Sequence, residues 1–216
     1  MAQQSHVVLL GDSIFDNAAY THGAPDVVTH LQRVLPSGWR ATLCAVDGAT
    51  ARALSSQLAR VPSDASRLVI AVGGNDALQN IDLLSMRATS SAQVLEAFAD
   101  RLSTFERSYR GAMREALALG RPMMVCTIYN GALEAERATI ARVGVALFND
   151  VILRTALDLR LDVLELRAIC TDPADYANPI EPSGQGGLKI ARAIARAVGA
   201  PNGADASPAR LWGGAE

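Results

Sequence analysis

Short runs of β-branched and leucine-rich residues alternate along the chain with longer stretches in which apolar residues recur at three- and four-residue steps. The short runs predict five strands, at 6–10 (HVVLL), 40–45 (RATLCA), 67–72 (RLVIAV), 123–127 (MMVCT) and 162–166 (DVLEL). The stretches between them, 26–35, 51–61, 91–119 and 134–159, have helical period, and Gly120 and Pro122 close the third. A last helix is expected to start near Ser183, an N-cap candidate behind Pro182, and to run to Gly199. Strands alternating with crossover helices predict an α/β fold with a mainly parallel, five-stranded sheet. Residues 201–216, rich in Pro, Gly, Ala and Ser, read as a flexible C-terminal tail after a single domain spanning 1–200.

Composition narrows the class of partner. A chain of 216 residues suffices for one sizeable core, and no repeat or linker divides it. With 22 acidic and 20 basic side chains it has no basic footprint and no acidic tail, which argues against nucleic acid and leaves a small molecule as the expected partner. The opening MAQQSHVVLLGDS has no basic segment leading a long apolar run, and stretches such as LVIAV are too short to span a bilayer; a cytoplasmic protein without membrane contact is expected. Cys44, Cys126 and Cys170 are odd in number and lack C-x-x-C spacing, so they are expected to be reduced and buried, in neither a disulfide framework nor a zinc site.

In an open parallel sheet, ligands bind at the carboxyl ends of the strands. Three of those ends carry small or polar residues: Gly11-Asp12-Ser13, Asp47-Gly48-Ala49-Thr50 and Gly73-Gly74-Asn75-Asp76. Singly, each is ordinary turn chemistry. Together they would bring a hydroxyl (Ser13), an accessible backbone N–H (Gly48) and a side-chain amide (Asn75) to one edge, as acyl transfer requires: a nucleophile beside donors aimed at a developing oxyanion.

At these residues the chain resembles the SGNH (GDSL-type) hydrolases. The resemblance rests on the serine block in VVLLGDSIFDN, on Gly48 in AVDGAT and on G-x-N-D in AVGGND, in the family's order and over most of the chain. It implies a flavodoxin-like, three-layer α/β/α fold and hydrolysis of an ester or acyl group without metal or cofactor.

The family's fourth block, D-x-x-H followed by P-S, is altered. Aligning P-S with Pro182-Ser183 puts Asn178 at the aspartate and Glu181 at the histidine. His6, His22 and His30 are the only histidines, so no shift of register supplies one near the C-terminus. A second carboxylate beside Glu181 would raise one of the two pKa values, and Asn178 avoids that repulsion. Its amide is expected to donate to the Glu181 carboxylate, giving a Ser13–Glu181–Asn178 unit. Glutamate is about two pKa units less basic than histidine, a deficit that burial behind Pro179, Ile180 and Pro182 would reduce. Two alternatives stand beside this reading. Glu181 is a helix-approach residue of a protein that binds a carboxylate, acyl or sugar-ester ligand without turnover, or His22, in the loop after the first block, supplies the base.

Other polar residues have local explanations. Asp12 and Asp76 are expected to bond backbone groups and set the loops. Asp16 and Asn17 shape the first block, and Tyr129 and Asn130 face the same edge as pocket walls. The three-residue spacing of Asp172, Asp175, Asn178 and Glu181 does not make a metal-binding helix face, because Pro173, Pro179 and Pro182 interrupt it. The connections after the third and fourth strands are modest in length, which favours an open site and a small or exposed acyl substrate.

Overall fold

A computed structural model describes residues 5–199 and 210–214. Five parallel strands form where the β-branched runs predict them: β1 (His6–Gly11), β2 (Arg40–Leu43), β3 (Arg67–Ala71), β4 (Met123–Cys126) and β5 (Asp162–Leu164). The helices are α1 (Val27–Val34), α2 (Leu54–Leu58), α3 (Gly74–Leu78), α4 (Ser91–Leu117), α5 (Ala135–Leu159), α6 (Leu166–Ile169) and α7 (Gly184–Gly199). The predicted helix at 51–61 is shorter, a 3₁₀ turn at Ala51–Ala53 followed by α2, and the end of the fifth predicted strand turns into α6.

Among the described residues, six strands rather than five make up the sheet, in the order β2-β1-β3-β4-β5-β6. The sixth, β6 (Leu211–Trp212), runs parallel to β5 and lies in the segment read as a flexible tail. Its register is set by tertiary groups. The Arg210 guanidinium pairs with the Asp162 carboxylate at 2.6 Å and stacks 5.3 Å from the Trp212 ring, which packs on the core. Residues 201–209 and 215–216, the rest of that segment, lie outside the described residues.

Alternation along the strands divides the core between the two faces. Val8, Leu10, Leu68, Ile70, Val125 and Val163 point towards α2, α4 and α5, where they meet Leu54, Phe105, Phe148 and Ile152. Val7, Leu9, Val69, Met124 and Leu164 point towards α1, α6 and α7, where they meet Val27, Leu31, Leu166 and Ile190. The result is the expected three-layer α/β/α arrangement. The strand order reverses between β1 and β3, so the turns after these two strands flank the crevice where a doubly wound sheet binds its ligand. All three cysteines are unpaired and buried. No helix among the described residues is long and apolar enough to cross a membrane.

Two buried amide side chains fix the strand ends at that edge. Gln57 accepts from the Gly11 N–H (2.8 Å) and donates to the Gly11 carbonyl (2.7 Å). Gly11 itself has φ +128°, and a Cβ there would stand 1.7 Å from the Ala71 carbonyl oxygen, so only glycine lets β1 pass β3 at this point. Asn149 does for Ile128 what Gln57 does for Gly11, accepting from its N–H (2.7 Å) and donating to its carbonyl (2.8 Å). Because Asn149 is fully buried, Asn149→Leu leaves two backbone groups unpaired away from water. At ~1–3 kcal/mol for each, urea denaturation should show a loss of about 2–6 kcal/mol.

Candidate active site

Ser13 follows β1 in a tight turn in which the Asp12 carbonyl accepts from the Phe15 and Asp16 N–H groups and the Asp12 Oδ1 from the Ile14 N–H (3.1 Å). The Ser13 N–H makes no hydrogen bond among the described residues, and its hydroxyl donates to Glu181 Oε1 at 3.1 Å. Both side chains are almost entirely buried. Two residues separated by most of the chain thus form the pair that the altered fourth block suggests.

Several elements pin the segment that carries Glu181. Asn17, fully buried, donates through Nδ2 to the Pro182 carbonyl (3.1 Å) and accepts from the Val27 N–H (3.0 Å), tying the first block to both the last block and α1. The Tyr129 hydroxyl donates to the Ile180 carbonyl (2.6 Å), and the Ala132 N–H to the Pro179 carbonyl (2.9 Å). Gly131 makes room for that approach: its φ is +73° and a Cβ would come within 2.5 Å of the Pro179 oxygen. Beyond Pro182, the Ser183 hydroxyl accepts from the Gly186 N–H (3.2 Å) as the N-cap of α7.

Asn178 corrects the expected geometry. Its Oδ1 accepts from the N–H groups of Ile180 and Glu181, each at 2.9 Å, in place of its amide donating to the Glu181 carboxylate. An asparagine ahead of a turn closes on its own backbone two and three residues on, and this local bond prevails. Asn178 positions Glu181 through the main chain.

The other sequence candidates separate. Asn75 lines the cleft with Ser13, and its Nδ2 donates one hydrogen to the Ala49 carbonyl (3.1 Å). Gly48, exposed with φ +76°, has an N–H without an acceptor among the described residues, and it does not line the cleft. Asp76 Oδ2 accepts from the Ala51 N–H (2.9 Å), linking the second and third blocks. His22 is exposed, with φ 52°, and lies outside the cleft lining. His6 is buried between Asp64 and Thr42 at the opposite edge, and His30 belongs to α1. Asp175 is fully buried and neutralised by Lys189 at 2.7 Å, within a capping box around Asp172. No group of three His, Cys, Asp or Glu among the described residues is placed to hold a metal ion.

Burial dominates the electrostatics. It pushes the Glu181 carboxyl up to about 7, with the Ser13 hydrogen bond pulling down and the Asp47 charge adding to the rise; Oε2 is buried without a partner. Asp12, almost completely buried, is pushed up to about 8 by desolvation, opposed by the Ile14 N–H and reinforced by Glu181 and Asp76; its Oδ2 has no partner.

The cleft beside Ser13 encloses about 970 Å³, open solvent included. Its walls are chiefly apolar: Leu78, Ile81 and Leu84 from α3 and the 3₁₀ turn after it, Phe98 from α4, and Ile140, Val145 and Phe148 from α5. The connection after β3, expected to leave the site open, forms one wall of it. Neither composition nor strand-end chemistry marks this wall; the only signal is the spacing of Leu78, Ile81 and Leu84.

The model of the GDSL-like lipase/acylhydrolase family matches residues 9–186, from within β1 to the start of α7. The chain belongs to that family. The GDSL-like membership makes it a hydrolase of ester bonds. No curated protein matches the sequence significantly. Among solved structures, the acetyl xylan esterase AlAXEase is similar over 89% of this chain and 99% of its own, at 16% identity and TM-score 0.66. Phospholipase A1 from Streptomyces albidoflavus covers 90% and 99%, at 16% identity and TM-score 0.65. An acetylxylan esterase from Geobacillus stearothermophilus covers 93% and 98%, at 22% identity and TM-score 0.63. At these identities the likeness is one of fold, and this GDSL-like chain carries Glu181 in the altered fourth block.

Asp12 generates a stability prediction. With its folded pKa raised from about 3.9 to about 8, the native state binds the extra proton, so this contribution is full below about pH 4 and is lost as pH rises through about 8. Asp12→Asn removes the titration. Denaturation across that range should show the variant gaining on the wild type as pH rises; a constant difference would refute the buried, protonated carboxyl.

Proposed function

We propose that the chain hydrolyses carboxylic esters through a Ser13 acyl-enzyme, with Glu181 as general base. The observation that carries this is the buried 3.1 Å hydrogen bond from the Ser13 hydroxyl to Glu181 Oε1. Ser13 Oγ bonds to the ester carbonyl carbon while its proton passes to Glu181. The tetrahedral intermediate then collapses, the carbon–alkoxide bond breaks, and Glu181 returns the proton to the leaving alcohol. A water molecule repeats the sequence on the acyl-enzyme: Glu181 takes its proton, the bond to Ser13 Oγ breaks, and the proton returns to Ser13.

The Ser13 N–H and the second Asn75 Nδ2 hydrogen are the donors for the oxyanion, joined by the Gly48 N–H when substrate closes over that exposed loop; each is worth about 10²–10³ in rate. Glutamate's deficit as a base is met by its burial: at about 7, Glu181 stands close to the ~6.5 of an unperturbed imidazole. Asn178 contributes by holding the Glu181 backbone. The chemistry draws on no cofactor. The substrate is a small-molecule ester whose acyl half enters the apolar cleft.

As a base, Glu181 must be ionised, so kcat/KM should fall as pH drops through about 7 and level off above it. Glu181→Gln should lower kcat about 10²–10⁴-fold and flatten that limb. Ser13→Ala should abolish turnover, while His22→Ala leaves the profile unchanged. These are read from p-nitrophenyl ester hydrolysis by variants whose folding is checked by circular dichroism. A serine-independent rate, or a limb that survives Glu181→Gln, would defeat the mechanism; a folded protein without any turnover would favour a ligand-binding role for the same pocket.

A further inference from the structure

Helix α5 carries a glycine that neither its backbone nor its packing requires. Gly144 lies well inside this 25-residue helix, where glycine is the least favourable residue after proline. Its φ is not positive, and a Cβ added to it would meet no atom within 4 Å. The glycines at the start of α7 differ: a Cβ on Gly186 would stand 2.1 Å from the Asp175 carbonyl oxygen, and one on Gly187 would be 3.3 Å from Val27. Those two are kept by contact, whereas Gly144 leaves space unfilled.

That space is the cleft. Gly144 lines it together with Ala141, three residues earlier on the same helix, and Leu78, Ile81 and Leu84 line it from α3 and the turn that follows. Ile81 and Leu84 remain 61% and 50% exposed, and Ile140 53%, an unusual cost for a mouth that holds nothing apolar. Among the described residues, the Asp, Glu, Lys, Arg or His side chains in the lining are Asp12 and Glu181. The cleft therefore suits an uncharged, apolar ligand running outwards from Ser13.

We propose that Gly144 determines specificity, its missing side chain keeping the cleft open for the alkyl chain of a medium-chain fatty acyl ester in preference to an acetyl ester. The proposal rests on the ester-hydrolase reading of Ser13 and Glu181. Gly111, inside α4, provides a control: a Cβ there also meets nothing within 4 Å, but Gly111 is exposed and lies outside the cleft.

The test compares kcat/KM for p-nitrophenyl acetate, butyrate and octanoate in the wild type, Gly144→Leu and Gly111→Leu. Thermal unfolding of Ser13→Ala and of Ser13→Ala/Gly144→Leu, with and without the uncharged probe 1-decanol, reads binding without turnover. Wild-type kcat/KM should rise about four-fold for each methylene the cleft accommodates. Gly144→Leu should lower the octanoate-to-acetate ratio at least about ten-fold, the worth of roughly two methylenes, and Gly111→Leu should leave the ratio unchanged. 1-Decanol should raise the Tm of Ser13→Ala, and Gly144→Leu should remove that rise. Without ligand, Gly144→Ala should raise the Tm by about 2 °C, because its methyl group enters empty space and improves the helix. An unchanged ratio in folded Gly144→Leu, or an equal loss on acetate and octanoate, would overturn the proposal. If no ester is turned over but 1-decanol still protects in a Gly144-dependent way, the cleft assignment stands and the catalytic reading fails.

Discussion

Ser13 and Glu181 stand 168 positions apart in sequence, so their 3.1 Å contact exists only because the segment ahead of α7 is held against the turn after β1. Asn17 provides that hold. One buried amide satisfies the Pro182 carbonyl and the Val27 N–H, groups that would otherwise be desolvated without partners. The main-chain turn closed by Asn178 and the Tyr129 hydroxyl on the Ile180 carbonyl remove the remaining freedom. A carboxylate base needs this restraint more than an imidazole does, because a glutamate side chain has one more rotatable bond and its carboxyl group is accurate only if its backbone is fixed.

The same device recurs at the other strand ends. Gln57 closes on Gly11 and Asn149 on Ile128, each with paired donor and acceptor, so the edge of the sheet that carries the chemistry is finished by buried amides instead of longer strands. A charged group in these places would have to be desolvated, whereas a primary amide satisfies both backbone groups with no net charge. This leaves Glu181 and Asp12 as the buried carboxyls next to Ser13, and desolvation is the largest influence on the ionisation of both.

Much of this was legible in the sequence. The strands announce themselves through β-branched runs, the long helices through their period, and α7 through Ser183 behind Pro182, because each of these signals is local. What escaped is tertiary. β6 is two residues long in a Pro- and Gly-rich stretch, and its partner, Asp162, is almost fifty residues away. Asn178 matched a pattern of catalytic partners, but the bond it makes is the short-range one available to any asparagine ahead of a turn. The apolar cleft arises where α3, the turn after it and α5 converge, and no single stretch contains it.

On the proposed mechanism, glutamate in place of histidine also changes how charge moves. When a neutral imidazole takes the serine proton, an ion pair is created between imidazolium and oxyanion, and an aspartate behind the ring steadies the positive charge. When an ionised glutamate takes it, the carboxylate becomes neutral as the carbonyl oxygen becomes negative, so one negative charge is displaced and no new pair is formed. In that mechanism a supporting aspartate has nothing to stabilise, which agrees with an Asn178 engaged with the backbone. The same burial that makes Glu181 reluctant to stay ionised favours its acceptance of the proton. On the proposed mechanism the developing charge falls to the oxyanion donors, and a protonated Asp12 next to Ser13 opposes it less than an ionised one would. In the proposed mechanism the acidic limit of the site is therefore set by Glu181, which acts as a base only after losing its proton.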